Sequence, residues 1–180
     1  RPDPEGPTMK TRAAVVEGPG QPFQLVDLDI DEPRADEILV RVKAVGLCHT
    51  DLTVRDMLPA EMFPRVFGHE GAGVVEAIGS DVVGVAVGDH VVMSFRSCRE
   101  CARCAGGDVG YCEQSMALNY VGYRMDGSTT FHRDGSDVAG SFFGQSSFSE
   151  LAIGSADNVV VIDREVDPAV AAPFGCGFQT

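Results

Sequence analysis

The spacing of the cysteines constrains this chain more than any other feature of its sequence. Four of its six cysteines are crowded together in the pattern Cys98-x2-Cys101-x2-Cys104-x7-Cys112. Two cysteines separated by two residues can direct both sulfurs at one ion, and a third and fourth cysteine complete a tetrahedron. The pattern therefore predicts a structural zinc site, which four thiolates close without leaving an open coordination position.

Two other kinds of structure use crowded cysteines. A disulfide network belongs to secreted proteins, but the chain has no secretion signal and no apolar run that would span a membrane, so we expect a cytoplasmic location. An iron–sulfur cluster also uses cysteines at two-residue gaps, with a fourth cysteine beside a proline. Here Glu113 follows Cys112, and the spacing favours zinc.

Composition and charge limit the classes of fold and partner. A chain of 180 residues with 44% hydrophobic and 23% charged residues has the size and composition of one folded domain. Its net charge of −13 at pH 7 opposes a phosphate backbone, which disfavours nucleic acid as a partner. The proline-rich run over residues 1–8 predicts a flexible tail, and residues 9–180 are predicted to form the domain.

Short runs rich in valine and isoleucine, bounded by glycine, proline and aspartate, predict a mainly β fold. A short helix is expected after Cys48 and another over residues 167–172. The glycine- and serine-rich segment 113–144 shows weak periodicity and is predicted to be a long excursion that covers or edges a site. The predicted strands span residues 11–17, 23–30, 38–45, 73–78, 89–94, 148–153 and 158–162.

Three residues outside the cysteine cluster have the chemistry of metal ligands. Cys48 and Cys176 are far apart in sequence, and each is also compatible with an ordinary buried thiol. A single histidine in a strand, such as His69, is usually structural. However, the context Gly68-His-Glu-Gly-Ala-Gly73 allows close backbone approach, so that the polar side chains can point to one place.

These motifs together resemble the zinc-containing medium-chain alcohol dehydrogenases. The resemblance rests on the run Gly68-His-Glu-Gly-Ala-Gly-Val-Val-Glu-Ala-Ile-Gly79, on Cys48, on the four-cysteine lobe and on Gly175-Cys-Gly177, and it covers Met9 to Thr180. It implies a GroES-like β-barrel catalytic domain that carries two zinc ions, with NAD as cofactor and NADP left open.

The resemblance also implies a nucleotide-binding Rossmann domain after Thr180. The chain contains no Gly-x-Gly-x-x-Gly phosphate-binding turn, so we expect it to be a fragment that is inactive alone. Arg99 stands where the family commonly has a glycine, which affects the expected loop geometry more than zinc binding.

The resemblance assigns roles to the polar residues of both motifs. It implies that Cys48, His69 and Cys176 are the ligands of a catalytic zinc. Asp51 would accept a hydrogen bond from the free imidazole N–H of His69, and Glu70 would lie near the metal and exchange with a water ligand. In so acidic a chain, Asp51 and Glu70 are otherwise ordinary surface acids.

Five further positions follow from the resemblance. The hydroxyl of Thr50 would take the proton of the alcohol, and Thr53 lies where a relay histidine is often found. His49 replaces an arginine that contacts the cofactor pyrophosphate, and Thr180 would lie against the nicotinamide ring. Phe95 matches the aromatic wall of the substrate channel. The alternatives are a surface imidazole for His49 and core packing for Phe95.

The function implied is oxidation of primary alcohols to aldehydes by zinc-dependent hydride transfer to NAD. The segments Gly144-Gln-Ser-Ser-Phe148 and Gly177-Phe-Gln-Thr180 resemble the aryl-alcohol branch, which favours aromatic or allylic substrates. A thiol-dependent formaldehyde dehydrogenase and a non-enzymatic zinc-binding interaction module are the alternatives. The expected partners are a small alcohol or aldehyde and, in the full-length protein, further copies of itself, but neither nucleic acid nor a membrane.

Overall fold

A computed structural model describes residues 7–178 and confirms the mainly β fold with short helices. Four short α-helices and several 3-10 turns connect the strands. The helices are α1 (His49–Met57), α2 (Ala102–Ala105), α3 (Ser115–Asn119) and α4 (Pro168–Ala171). The strands are β1 (Thr8–Val16), β2 (Gln24–Asp31), β3 (Glu37–Val45), β4 (Arg65–Val66), β5 (Gly71–Ile78), β6 (His90–Met93), β7 (Phe131–Arg133), β8 (Ser136–Val138), β9 (Leu151–Ser155) and β10 (Val159–Ile162).

The strands form two five-stranded antiparallel sheets. One has the order β4-β1-β2-β7-β8 and the other the order β10-β6-β5-β3-β9. The alternating apolar residues of both sheets meet in a common core, where full burial of each large side chain contributes roughly 1.5–3 kcal/mol. This core contains Ala13, Val15, Leu28, Ile30, Leu39, Val66, Phe131, Val138, Leu151 and Ile153.

The second sheet brings together the segments that carry the candidate ligands. Val45, the last residue of β3, pairs with Gly71, the first residue of β5. The residues that follow β3 and those that precede β5 therefore meet at one end of the sheet. Ala72 of β5 also pairs with Val92 of β6, so the antiparallel register brings the residues just after β6 to the same end.

Two predictions of local structure are wrong. The tail predicted over residues 1–8 is too long: Thr8 begins β1 and pairs with Asp31, and the Pro7 carbonyl accepts a hydrogen bond from Glu32. Strand pairing outweighs the proline-rich composition there, and residues 1–6 of the predicted tail lie outside the described residues. The segment 113–144 is not a single excursion, because it contains α3, β7 and β8. These two strands have three residues each, too few to show a period in the sequence.

Within residues 7–178, no helix is long and apolar enough to cross a lipid bilayer.

Candidate metal centres

Two groups of side chains come together as metal ligands do. In the first, the Sγ atoms of Cys48 and Cys176, a ring nitrogen of His69 and a carboxylate oxygen of Glu70 all lie within 4.8 Å of one another. In the second, the four sulfurs of the cysteine lobe meet the same criterion. The structure thus brings together each predicted ligand set, and it adds Glu70 directly to the first.

Asp51 sets the orientation of the His69 ring. Cys48 caps the N-terminus of α1, which places Asp51 in its first turn, and Asp51 is 2% exposed. Its Oδ1 lies 3.0 Å from His69 Nδ1 and also accepts a hydrogen bond from the Gly68 backbone N–H at 3.0 Å. Since a carboxylate only accepts hydrogen bonds, the imidazole proton resides on Nδ1 and Nε2 keeps its lone pair.

The remaining ring nitrogen of His69 is the best indication that a metal fits here. His69 is 1% exposed, and its Nε2 atom is buried without a hydrogen-bond partner among the described residues. A buried polar atom without a partner costs free energy. A cation between Nε2 and the neighbouring sulfurs would use that lone pair, so the donor set of two thiols and one neutral imidazole suits zinc.

The pKa values of the two thiols in the first group also indicate that a cation fits between them. Burial and the nearby charges of Cys48 and Glu70 raise the pKa of Cys176 to about 11. Burial also raises the pKa of Cys48, but hydrogen bonds from Thr50 to the thiolate and the neighbouring His69 outweigh it, and the pKa lies below its ordinary value. Cys48 Sγ lies 3.5 Å from Thr50 Oγ1. Without a metal, two thiolates and a carboxylate so close together would repel one another.

Glu70 is fixed in a narrow space between two glycines. It is 3% exposed, and its Oε1 accepts a hydrogen bond of 2.7 Å from the Gly177 backbone N–H. A Cβ atom added to Gly46 would lie 1.9 Å from Glu70 Oε2, and one added to Gly177 would lie 2.8 Å from Oε1. The carboxylate therefore connects the segment before β5 with the segment that carries Cys176.

The sulfur positions in the lobe fit a single ion. Zinc–sulfur bonds of about 2.3 Å in a tetrahedron place the sulfurs about 3.8 Å apart, and Cys98 Sγ lies 3.9 Å from Cys104 Sγ. Backbone N–H groups donate to the sulfurs, from Cys101 to Cys98 at 3.3 Å and from Cys98 to Cys112 at 3.2 Å. All six cysteines are free thiols in the structure, so the disulfide network has no support.

Arg99 occupies a backbone conformation that glycine adopts more readily than other residues. Its φ of +62° lies in the left-handed region, which a residue with a Cβ enters at a cost of roughly 1–2 kcal/mol. Its guanidinium donates to the Asp157 carbonyl at 2.9 Å. Arg99 therefore keeps the loop geometry of a glycine.

Replacing Cys104 with serine should lower the melting temperature and the zinc content of the protein. Cys104 is buried and packs against Cys112 and Leu118 in a small cluster of its own, so a bound metal there would contribute directly to folding. Thermal unfolding and elemental analysis measure the two effects. An unchanged melting temperature with an unchanged zinc count would contradict a structural metal in the lobe.

The residues predicted to bind cofactor and substrate are less enclosed than the candidate ligands. His49 is exposed and lines a cavity of about 930 Å³ beside Cys48, together with Leu47 and Phe148. Phe95 is 39% exposed, which argues against the alternative that it is a core residue. Thr180 lies outside the described residues.

The aromatic residues around His69 were not predicted from the sequence. The Phe143 ring stacks on the imidazole with centroids 4.6 Å apart, and the Phe142 ring meets it edge-on at 5.6 Å. Tyr120 packs against both phenylalanines. The segment 113–144 therefore does edge the site. Two adjacent phenylalanines before a glycine were the available signal.

Two polar residues behind the ligands, Gln145 and Ser94, were also not predicted as part of the site. Gln145 is 1% exposed and hydrogen-bonds to the backbone on both sides of Glu70, and Ser94 reaches the residue before Cys176. Gln145 was noted only as part of a segment that resembles a family branch. No local pattern distinguishes these residues from ordinary polar loop residues.

Comparison with known proteins gives consistent matches. Residues 34–164 match the family described as "Alcohol dehydrogenase GroES-like domain". Geraniol dehydrogenase of Castellaniella defragrans is 40% identical over 173 residues, which cover 96% of this chain and 46% of that protein. The chain thus spans about half the length of the curated relatives it matches.

Two solved structures have the same fold. An alcohol dehydrogenase zinc-binding domain protein from Burkholderia ambifaria superposes with a TM-score of 0.92 at 46% identity, covering 97% of this chain and 47% of that one. Benzyl alcohol dehydrogenase from Acinetobacter calcoaceticus superposes with a TM-score of 0.89 at 40% identity, covering 96% and 46%.

Proposed function

We propose that this chain, which belongs to the family of alcohol dehydrogenases with a GroES-like domain, forms the metal-binding catalytic part of a zinc-dependent enzyme that oxidises primary alcohols to aldehydes. The family and the GroES-like fold are the expectations that the comparisons confirm. The observation that carries the proposal is the convergence of Cys48, His69 and Cys176 around the free Nε2 atom of His69.

Cys48, His69 and Cys176 would hold the catalytic zinc, and Cys98, Cys101, Cys104 and Cys112 would hold a structural zinc. When bound, the catalytic zinc supplies a Lewis acid with an open position, which lowers the pKa of an alcohol there. A nicotinamide cofactor, NAD or NADP, supplies the acceptor for the hydride. Because relatives are about twice as long, we propose that a nucleotide-binding domain follows this chain in the complete protein.

Other residues of the chain would orient the ligands, transfer the proton and bind the cofactor. Asp51 holds the His69 ring through Nδ1. The Thr50 hydroxyl, whose oxygen lies 3.5 Å from Cys48 Sγ, would accept the proton that the alcohol gives up and pass its own proton on to a cofactor hydroxyl or to water. Glu70 would approach the metal and exchange with a water ligand. His49 would bind the cofactor pyrophosphate, and Thr180 would lie against the nicotinamide.

The surroundings of His69 favour a flat, unsaturated substrate. The Phe143 ring stacks on the imidazole and Tyr120 packs against Phe143, and Phe95 would add a third aromatic ring to the channel. Aromatic rings pack well against other planar groups. Geraniol is an allylic alcohol and benzyl alcohol an aromatic one, so the substrates in the names of two relatives have this character.

The protein should bind two zinc ions per chain, and chelators should remove them at different rates. The lobe is closed by four sulfurs and should lose its ion slowly, whereas a site with an open position should lose its ion fast. Elemental analysis and a time course with a chromogenic chelator test this. A count of one ion, with Cys48, His69 and Cys176 dispensable, would support the zinc-binding interaction module and overturn the enzyme.

Substrate kinetics distinguish an alcohol dehydrogenase from a thiol-dependent formaldehyde dehydrogenase. The two substrates to compare are benzyl alcohol and the adduct of formaldehyde with a thiol. The complete protein should reduce NAD or NADP with benzyl alcohol and should do so at a higher kcat/KM than with the formaldehyde–thiol adduct. The 180-residue chain alone should reduce neither cofactor, since it lacks a phosphate-binding turn. A preference for the adduct would assign the protein to thiol-dependent formaldehyde oxidation.

A further inference from the structure

Two buried polar side chains connect the segments that carry His69 and Cys176. Gln145 Nε2 donates to the His69 carbonyl at 2.9 Å and to the Ser94 carbonyl at 3.2 Å, and its Oε1 accepts from the Gly71 N–H at 3.0 Å. The partners fix the amide orientation, because a carbonyl can only accept and a backbone N–H can only donate. Both polar atoms of this buried amide therefore hydrogen-bond to the backbone around the ligands.

Ser94 continues the connection to the other ligand. It follows β6, at the end of the sheet where the ligands meet, and its Oγ donates to the Gly175 carbonyl at 2.8 Å. Gly175 immediately precedes Cys176. A chain of hydrogen bonds therefore runs from the His69 carbonyl through Gln145 and Ser94 to the residue before Cys176.

The segment around Cys176 has little other regular structure to fix it. It lies in and after the 3-10 turn Ala172–Gly175, and no described strand contains it. Glu70 holds Gly177 on one side of Cys176, and Ser94 holds Gly175 on the other. Backbone N–H groups of Cys176 and Phe178 also donate to the Pro173 carbonyl within the turn, so Glu70 and Ser94 are the polar side chains that tie this turn to the other ligand segments.

We propose that Gln145 and Ser94 are positioning residues that hold His69 and Cys176 in register for metal binding. The proposal rests on the proposed function, since it requires that these two residues bind a metal. Neither residue belongs to either candidate ligand set. Groups behind metal ligands typically change affinity by about 10- to 100-fold when they are removed, and the same range is expected here.

The test uses the full chain with Co²⁺ as the probe, because the visible absorption of Co²⁺ reports the number of sulfur ligands. Ser94→Ala and Gln145→Met should each weaken Co²⁺ binding at the Cys48–His69–Cys176 site about 10- to 100-fold. The lobe should keep its affinity and serve as an internal reference. Ser94→Thr retains the hydroxyl and should keep the affinity of the unmodified protein.

The double variant and a distant control separate positioning from general destabilisation. Gln145 holds the Ser94 backbone, from which the Ser94 side chain reaches Gly175. Because both residues act on the same connection, the loss in Ser94→Ala/Gln145→Met should be smaller than the product of the single losses. Thr129→Val removes another buried hydroxyl, which donates to the Val138 carbonyl in the other sheet. It should lower the melting temperature without affecting either Co²⁺ site.

Three results would overturn the proposal. Affinity and spectrum unchanged in both Ser94→Ala and Gln145→Met would show that the connection does not position the ligands. Equal weakening of both metal sites, reproduced by Thr129→Val, would show a role in stability alone. If the unmodified protein bound Co²⁺ only in the lobe, the proposed function itself would fail, and this outcome is visible before any variant is made.

Discussion

Valine in place of Thr50 should lower the turnover of the complete enzyme at least about a hundredfold, since general acid–base groups contribute about 10²- to 10⁴-fold. Valine keeps the β-branched shape of threonine but removes the hydroxyl that is placed 3.5 Å from Cys48 Sγ at the start of α1. The proton of the alcohol would then have no acceptor at this position. Steady-state kinetics with benzyl alcohol measures the loss.

Three comparisons make the Thr50 result specific. Thr50→Ser keeps the hydroxyl and should retain most of the activity. Thr53 lies in the middle of α1 and is exposed, so Thr53→Val should change turnover little. The zinc content of Thr50→Val should stay at two per chain, because Thr50 is not among the proposed ligands. Full activity in Thr50→Val together with a severe loss in Thr53→Val would move the proton path to Thr53.

The four lobe cysteines were predicted to lie together because cysteine is rare and their spacing is local. Two cysteines separated by two residues can direct both sulfurs at one ion. For Cys48, His69 and Cys176 the spacing carried no such information, and the family resemblance supplied it. The structure adds the reason: β3 and β5 are paired at Val45 and Gly71, which brings distant parts of the sequence to one end of a sheet.

The supporting contacts could not be read from the sequence. Gln145 and Ser94 reach backbone atoms 51 to 81 residues away, and their partners are carbonyls and N–H groups that every residue has. The ring of Phe143 reaches His69 from a residue in the left-handed region, with a φ of +50°. The conformational propensity of a residue type describes its common backbone conformations. A bulky residue that is held in a rare backbone conformation is therefore not predicted from the sequence.

Gly68→Ala should lower the free energy of unfolding by about 2–5 kcal/mol. This is the sum of the cost of a left-handed backbone conformation and the cost of overpacking the core. Gly68 has a φ of +91°, and an added Cβ would lie 2.3 Å from the Phe148 backbone nitrogen. Its N–H donates to Asp51 Oδ1, and it is followed directly by His69. A shift of Gly68 therefore moves both the ligand and the carboxylate that orients it.

Gly88 offers a matched control for this prediction. Its φ is +90°, almost the same as that of Gly68, but no described atom would lie within 4 Å of an added Cβ. Gly88→Ala should therefore cost only about 1–2 kcal/mol and leave both metal sites intact. Urea unfolding of the two variants gives the difference, which isolates the steric contribution at Gly68 from the shared conformational one. The contrary result is an equal loss of stability in the two variants, with metal binding retained in Gly68→Ala. It would show that the backbone at Gly68 can shift without disturbing His69, and the claim that Gly68 places this ligand rigidly would be wrong.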